Sequence, residues 1–408
     1  MPFIQGNVTY ARFRVAAGSP GRVDESLLSA LEASVLRPTI GAPIVVETGF
    51  TGGRHILDPE FTHEHCVFGS SLHAAMRMDS VRVPAEIKVA YRSQEELALA
   101  RASQEDSGRP LGRGARKEAK DNAERRWLEE VADGRYRSSK LVPLLWDVPR
   151  GHLLAPAGSD AVWSALRDLL QTAVGIKLIP LGAGGLALDL LAARGMTDAF
   201  SDAQADALVS PPTPKRIDEA PVGDRPIVPW AEAGPEPRDF LGNVFLLWLW
   251  ARTETTDGSF DLPGGEVTVL VDRAIDMECA WGVSGKQTLR GDMPGQSPEA
   301  SRALQAGKWP RKLGLVVADG EREWKLDLQG DLFRVSGLKL PRPDERPGSL
   351  REAMEERIDS TWEIDGILVK LYEAFLQERF SASWSTQRNV LRDWIASKGI
   401  VPQAFEMA

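Results

Sequence analysis

The sequence has few of the features on which a secreted protein depends. Only two of the 408 residues are cysteine, Cys66 and Cys279, and they lie more than two hundred positions apart. This spacing argues against a small secreted scaffold stabilised by disulfides. The segment from Met1 to Gly6 lacks the basic region, apolar stretch and small-residue cleavage site of a signal peptide. We therefore expect a cytoplasmic protein.

Long hydrophobic runs are also absent. The most apolar segment, Phe240 to Trp250, is interrupted by Gly242 and Asn243, and it is shorter than the ~20 residues that a membrane-spanning helix needs. We expect this segment to lie in a protein core, without a membrane partner. Hydrophobic residues make up 43% of the chain, and its length predicts two or three structural units.

Positive charge is in deficit, because 49 Lys and Arg face 58 Asp and Glu, for a net charge of -9. Attraction to a polyanion requires a positive local potential, so composition alone predicts no nucleic-acid partner. A dimer can, however, carry negative charge outside and line a groove with lysine and arginine. The distribution of charge therefore matters more than its sum.

The sequence lacks the common catalytic motifs: G-x-S-x-G, H-E-x-x-H and the P-loop are all missing. The glycines at Gly182 to Gly185 lack the third glycine of a dinucleotide loop. Four histidines and a cysteine fall close together, but their spacing matches no established zinc pattern, so structural roles are expected and a metal site is the minority alternative. They are His55, His63, His65, His73 and Cys66. We predict no catalytic residues, no cofactor and no metal, and therefore a protein that is not an enzyme.

The periodicity predicts an α+β fold with antiparallel sheets and packed helices. A capping box is expected at Ser349 and Glu352, and a hairpin around Asp319 and Gly320. The predicted strands are 3–15, 64–83, 141–147, 152–155, 176–181, 267–271, 313–318, 322–328 and 332–340, and the predicted helices are 23–34, 85–104, the stretch around 115–127, the stretch after Ser159, 239–252, the stretch after Ser349 and 384–395.

Proline defines the predicted domain organisation. Eight prolines lie between Pro211 and Pro237, which is typical of an extended connector. We expect an N-terminal α+β region at 1–208, a connector at 209–238, a second α+β region at 239–341 and a helical region at 342–408.

Residues 109–140 are the most charge-dense part of the chain, with ten basic and six acidic side chains and a local net charge of +4. Ala115, Ala119, Ala123 and Trp127 recur every four residues, so a helix would bury this narrow stripe and leave the charges in water. A solvated face is the ordinary interpretation of such a helix. Contacts to DNA phosphates are the alternative. On charge, the candidates in this region include Arg135 and Arg137.

A second basic group, Lys308, Arg311 and Lys312, precedes a predicted strand. Lysines at a sheet edge that discourage aggregation would explain this group equally well.

The block from Val83-Pro84 to Leu181 resembles the RdgC family of recombination-associated proteins. It contains Leu97-Ala98-Leu99-Ala100-Arg101, Arg109-Pro110-Leu111-Gly112-Arg113, a Lys/Glu-rich helix, a tryptophan-bearing strand and Ile179-Pro180-Leu181. This block covers roughly a quarter of the chain. Weaker similarity continues through Phe245 to Trp250, Glu299 to Leu313 and Leu338 to Pro341.

The resemblance implies a protomer that forms a ring-shaped homodimer. Such a ring would encircle double-stranded DNA without sequence preference, associate with the nucleoid and limit access of the recombinase RecA. The positions that match the family's basic helix and Gly-Lys element are Arg113, Arg116, Lys117, Lys120, Lys308 and Lys312.

Two features favour a different class of function: residues 290–294 are not lysine-rich, unlike the family, and the sequence pI is about 5.3. Residues 129–137 also depart from the family, at a segment where a dimer contact is expected. The alternative is a protein-interaction module that keeps the fold without binding DNA. A nuclease is set aside because no compact Asp/Glu/His constellation is visible in the sequence.

Overall fold

The computed structural model describes residues 3–37, 46–106, 112–156, 158–212, 223–342 and 347–398. Helices and strands are mixed along these residues, and the strands form a large antiparallel sheet, so the predicted α+β class is confirmed. The strands are β1 (Val8–Ala17), β2 (Val46–Thr51), β3 (Val67–Phe68), β4 (Ser71–Val81), β5 (Arg137–Asp147), β6 (His152–Ala155), β7 (Lys177–Leu181), β8 (Ser259–Leu262), β9 (Gly265–Cys279), β10 (Gln287–Gly291), β11 (Lys308–Asp319), β12 (Arg322–Gln329) and β13 (Arg334–Lys339).

The helices include every one that the periodicity predicted, together with short helices that it did not. They are α1 (Glu25–Ala33), α2 (His63–Cys66), α3 (Ala85–Asp106), α4 (Arg113–Ala132), α5 (Asp160–Val174), α6 (Ala183–Ala192), α7 (Thr197–Ser201), α8 (Pro229–Glu232), α9 (Phe240–Thr255), α10 (Pro298–Gln305), α11 (Leu350–Arg379) and α12 (Trp384–Ser397).

The chain divides into two compact units, each built from segments that are distant in sequence. The first contains Met1–Ala16, Leu145–Ala157 and Leu178–Ala408, and the second contains Ala17–Leu144 and Gly158–Lys177. This division differs from the four predicted segments, because β1 pairs with β13 at the far end of the chain, where Val8 lies opposite Leu338. Residues 213–222 of the predicted connector lie outside the described residues.

A large antiparallel sheet organises the first unit, with strand order β10-β9-β11-β12-β13-β1-β6. The predicted hairpin is confirmed, since Asp319 pairs with Arg322 across a turn in which Gly320 has φ +59°. Helix α9 packs against β9 and β11 and contacts α6 and α11.

The apolar run in α9 is core, as predicted, because every residue from Phe240 to Ala251 is buried. Gly242 is required there, since a Cβ atom would lie 2.1 Å from the carbonyl oxygen of Gly330. Aromatic rings fill the space beside it, with Phe245 5.2 Å from Tyr372 between ring centroids. Among the described residues, no helix has the length and apolarity to cross a membrane.

The cap predicted at Ser349 is confirmed at the start of α11, whereas the Glu352 carboxylate bonds to the residue before the cap and not to Ser349 as a capping box would require. The hydroxyl oxygen of Ser349 accepts a hydrogen bond from the backbone N–H of Glu352 at 3.1 Å. The Glu352 carboxylate in turn accepts one from the backbone N–H of Gly348 at 2.6 Å. Because these bonds satisfy donors at the helix start, the 30-residue helix begins where the sequence predicted.

In the second unit, α3 and α4 pack as a helix pair. The Tyr91 hydroxyl on α3 donates to the Glu130 carboxylate on α4 at 2.6 Å, and the Lys88 ammonium lies 4.7 Å from the ring centroid of Trp127. Ala119 and Ala123 are buried, so the apolar stripe predicted for α4 is confirmed at these two positions.

Two strand predictions in the N-terminal part are wrong in detail. The first strand begins at Val8 and not at residue 3, because Gly6 turns the chain with φ +72°. Residues 63–66 form α2 and not a strand. The hydroxyl of Thr62 caps this short helix by accepting from the backbone N–H of His65 at 3.2 Å.

Candidate functional site

The cations near the N-terminus of helix α4 lie on one face of the helix. Positions i, i+3, i+4 and i+7 share a side of an α-helix, and four of the predicted DNA contacts have this spacing. All four side chains are exposed, and none forms an ion pair or hydrogen bond with another described residue. We call this set the basic face: Arg113, Arg116, Lys117 and Lys120.

The start of α4 adds to the positive potential of the basic face. The N-cap is Gly112, which provides no side-chain acceptor, and the first turn contains no acidic residue. The partial positive charge of the helix N-terminus is therefore not offset locally. Backbone N–H groups at such an end favour phosphate oxygens. The rest of the Arg109–Gly112 motif, residues 109–111, lies outside the described residues.

Arg135 and Arg137 follow α4 but are held by the chain's own acids. Arg135 pairs with Glu130. Arg137 pairs with Glu47, and its Nε lies 3.0 Å from a carboxylate oxygen of Asp79. The side chain of Arg137 is only 23% exposed, so it stabilises the second unit and offers little charge to an outside ligand.

Three cations of β11 lie together on one strand of the first unit. Two of the three contact acids from neighbouring parts of the sheet. Arg311 contacts Glu278 and Asp331, at 2.7 Å each. Lys312 lies 3.4 Å from Asp276 and 3.7 Å from Asp327. Lys308 donates to the side-chain amide of Gln287 at 3.0 Å. The strand cluster is therefore Lys308, Arg311 and Lys312, and most of its charge is balanced within the protein.

The glycine-rich segment at the start of α6 also has an internal partner. The backbone N–H of Gly184 donates to a carboxylate oxygen of Asp239 at 2.8 Å, where a dinucleotide loop would place a phosphate. Asp239 is buried, and burial raises its pKa to about 7. The chain's own carboxylate therefore takes the position of an anionic ligand.

A compact group of acids and one histidine lies in the segment between β2 and β3. His65 Nε2 is 2.8 Å from a carboxylate oxygen of Asp58, and His65 Nδ1 is 3.2 Å from a carboxylate oxygen of Glu60. Ligand atoms of the three side chains all lie within 4.8 Å of one another. We call Asp58, Glu60 and His65 the acid–histidine cluster.

The pKa values of Asp58, His73 and Cys66 are all shifted from their ordinary values, for different reasons. Burial by itself would raise the pKa of Asp58, but the hydrogen bonds from His65 and from two backbone N–H groups together outweigh it, so the pKa is lowered. Burial lowers the pKa of His73 to about 4 and raises that of the Cys66 thiol to about 12. At neutral pH, the imidazole of His73 is therefore uncharged and the thiol protonated.

The zinc patterns against which the histidines were compared do not include Asp58 and Glu60, so this cluster was not predicted from the sequence. The signal was present as Asp-x-Glu-x-x-x-x-His over eight residues. The statement that no compact Asp/Glu/His constellation exists is therefore wrong, and that argument against a nuclease is lost. His55, His63 and His73 are not part of the cluster.

Comparison with known proteins adds no further identification: no protein-family model matches this chain, and no curated protein matches it significantly. The resemblance to the RdgC family therefore stays a prediction.

Proposed function

We propose that this chain binds double-stranded DNA without sequence preference and that the basic face of α4 contacts the phosphates. The single observation that supports the proposal most is the set of four exposed cations on one side of a helix, without acidic partners among the described residues. Lys and Arg that neutralise phosphates release counterions, which gives affinity without reading bases.

The resemblance to the RdgC family extends the proposal to the assembly. A homodimer would present two basic faces to one duplex, associate with the nucleoid and modulate recombination by occupying DNA that RecA would otherwise reach. The net charge of -9 is compatible with this mechanism only if positive side chains are concentrated where the duplex lies.

Duplex binding at several salt concentrations, with the mass in solution measured in the same buffers, tests the proposal. Four phosphates neutralised by one chain predict a slope of log affinity against log salt of about -3.6, and a dimer that uses both faces predicts about -7. Binding should be similar for unrelated sequences. A dimer without affinity for duplex DNA at low salt would contradict DNA binding.

Charge reversal then tests the location. Lys117→Glu with Lys120→Glu should weaken binding about 10-fold to 100-fold for every sequence. For a control with the same change in charge, Lys117→Glu alone is compared with Arg125→Glu, because Arg125 is exposed on the same helix but lies outside the basic face and bonds to Asn122 at 2.6 Å. Equal losses in the two proteins would show a general charge effect and remove the basic face from the site.

The alternative function is a protein-interaction module. It is favoured by the internal pairing of Arg311 and Lys312, which leaves the strand cluster little charge for DNA. Under this alternative the dimer persists, but duplex binding is absent at all salt concentrations.

A further inference from the structure

We propose that the α4 helices of two chains pack against each other antiparallel, and that this pairing covers the basic face when DNA is absent. The pairing itself needs only a second copy of this chain. Its regulatory effect, which is competition between the second copy and DNA for the basic face, rests on the proposed function.

One side of α4 is covered by its own chain and the other side is open. Helix α3 packs against α4, and Ala119 and Ala123 are buried in the helix pair. The cations of the basic face are exposed, and Leu128, further along the same helix, is 37% exposed. The open side therefore offers both charge and an apolar side chain to a partner.

The charge on the open side changes sign along the helix. The cations of the basic face occupy its N-terminal half, whereas Asp121 and Glu124 follow in the C-terminal half, with Leu128 one turn beyond Glu124. Both acids are exposed, and neither forms an ion pair or hydrogen bond with another described residue. Unbalanced charges of both signs thus lie along one side of a single helix.

An antiparallel second copy matches this pattern. A two-fold axis makes every contact occur twice between the same two positions. With the axis between positions 120 and 121, Lys117 lies opposite Glu124 of the partner subunit, and Arg113 lies opposite Leu128 of the partner subunit. A parallel pair would instead set cations against cations, which is unfavourable.

The surface beside the acids has room for the partner's cations. Asp121, Glu124 and Leu128 line an open concavity on α4, together with Glu129 and Ala132. A lysine from a second helix can lie in this concavity with its alkyl stem against Leu128 and its ammonium group near the carboxylates. The acidic half is therefore complementary to the basic half in charge and in shape.

The size of the contact makes the pairing reversible. Helix α4 has 20 residues and is ~30 Å long, so one face of it buries less than the ~800 Å² per partner of a standard interface. Exposed ion pairs also weaken with salt. Duplex DNA, which gains affinity by releasing counterions, can thus displace the second copy.

Carbodiimide crosslinking of the full chain without DNA tests the pairing residue by residue. Equal amounts of isotope-labelled and unlabelled protein are mixed at low salt, and crosslinked peptides are identified by mass spectrometry. We expect an amide bond between Lys117 and Glu124 that joins a labelled chain to an unlabelled one, with a yield that falls about 5-fold or more at 1 M salt. Absence of this mixed peptide would overturn the proposal.

Exchange of charges gives a second test, by sedimentation equilibrium at low salt. Lys117→Glu and Glu124→Lys should each weaken self-association about 10-fold, because each places like charges together twice. The double variant Lys117→Glu with Glu124→Lys restores opposite charges and should associate like the wild type. A double variant as weak as the single variants would overturn the proposal.

Glu118→Lys is the matched control for Glu124→Lys. Glu118 is exposed on the same helix but lies outside the open side, so this variant should self-associate like the wild type. In duplex binding, Glu124→Lys should exceed Glu118→Lys by about 3-fold or more, because only the former frees the basic face. Restored pairing in the double variant without duplex binding by any variant would contradict the proposed function and leave the pairing intact.

Discussion

The basic face of α4 and the strand cluster of β11 contain the same kinds of side chain but differ in their partners. The four cations of α4 are exposed and form no ion pair with a described residue. On β11, Arg311 and Lys312 each contact two carboxylates from other parts of the sheet and its turns. The same charge is available to an outside anion in the first region and is largely compensated in the second.

This difference shows why a basic stretch of sequence is ambiguous. A helix places its neighbours along the chain on predictable faces. In α4, Glu124 lies one turn beyond Lys120 on the side of the four cations, but none of the four forms an ion pair with a described residue. A strand in a sheet meets residues that are distant in sequence, so the partners of β11 come from β9, β12 and the turn after β12. A count of charges along the sequence does not show these partners.

Asp239 contrasts with the acids that pair with Arg311 and Lys312, because this buried acid has no cation partner among the described residues. Since burial raises its pKa to about 7, the folded state binds the proton more tightly than the unfolded state, and stability falls as pH rises from about 4 to 7. Asp239→Asn does not ionise, so its advantage over the wild type should grow by about 4 kcal/mol between pH 4 and pH 8. Urea unfolding at a series of pH values measures this difference.

The same change at an exposed aspartate, Asp292→Asn, serves as its control and should leave the pH dependence of stability unchanged. A constant difference between Asp239→Asn and the wild type at all pH values would contradict the buried, raised pKa.

Removal of Arg311 would leave the acidic partners of the strand cluster without their main cation. Arg311→Met leaves Asp331, whose side chain is 5% exposed, without its cation, and we expect a loss of about 3 kcal/mol in the free energy of unfolding. Lys308→Met is the comparison, because within the described part of the chain Lys308 bonds only to the neutral amide of Gln287, and its loss should cost less than about 1 kcal/mol. Similar losses for the two changes, measured by urea unfolding, would show that the pairing of Arg311 is not the reason for its position.

Arg137 and Arg135 give the smallest contrast. Arg137→Met removes two carboxylate contacts from a mostly covered side chain and should cost about 2 kcal/mol. Arg135→Met removes a pair in which the arginine is 63% exposed, so a change below about 0.5 kcal/mol is expected. The reverse order in thermal or urea unfolding would mean that Arg135 is the structural residue.

Local signals in the sequence predicted much of the fold. The spacing of Ala119 and Ala123 predicted the buried side of α4, and Ser349 with Glu352 predicted the start of α11. The two-unit division was not predictable in this way, because it depends on the pairing of β1 with β13. The ion pairs of Arg311 with Glu278 and Asp331 were not predictable either, because these residues are distant from Arg311 in the sequence.

The two candidate sites differ in the same respect. The four residues of the basic face were named from the resemblance to the RdgC family, and helical periodicity places them on one side of α4. The acid–histidine cluster is local in sequence, within eight residues, but the chain must pass close to Gly52, where a Cβ atom would lie 2.8 Å from a carboxylate oxygen of Asp58. The spacing of Asp58, Glu60 and His65 is the sequence signal for this cluster.

The most direct test of the account compares two matched neutralisations in duplex binding across a series of salt concentrations. Lys117→Gln with Lys120→Gln should reduce the magnitude of the salt slope by about 2 per chain. Lys308→Gln with Lys312→Gln removes the same charge from the strand cluster and should leave the slope close to that of the wild type. Equal slopes for the wild type and the α4 variant, with a reduced slope for the β11 variant, would contradict the claim that unpaired cations on α4 contact the DNA.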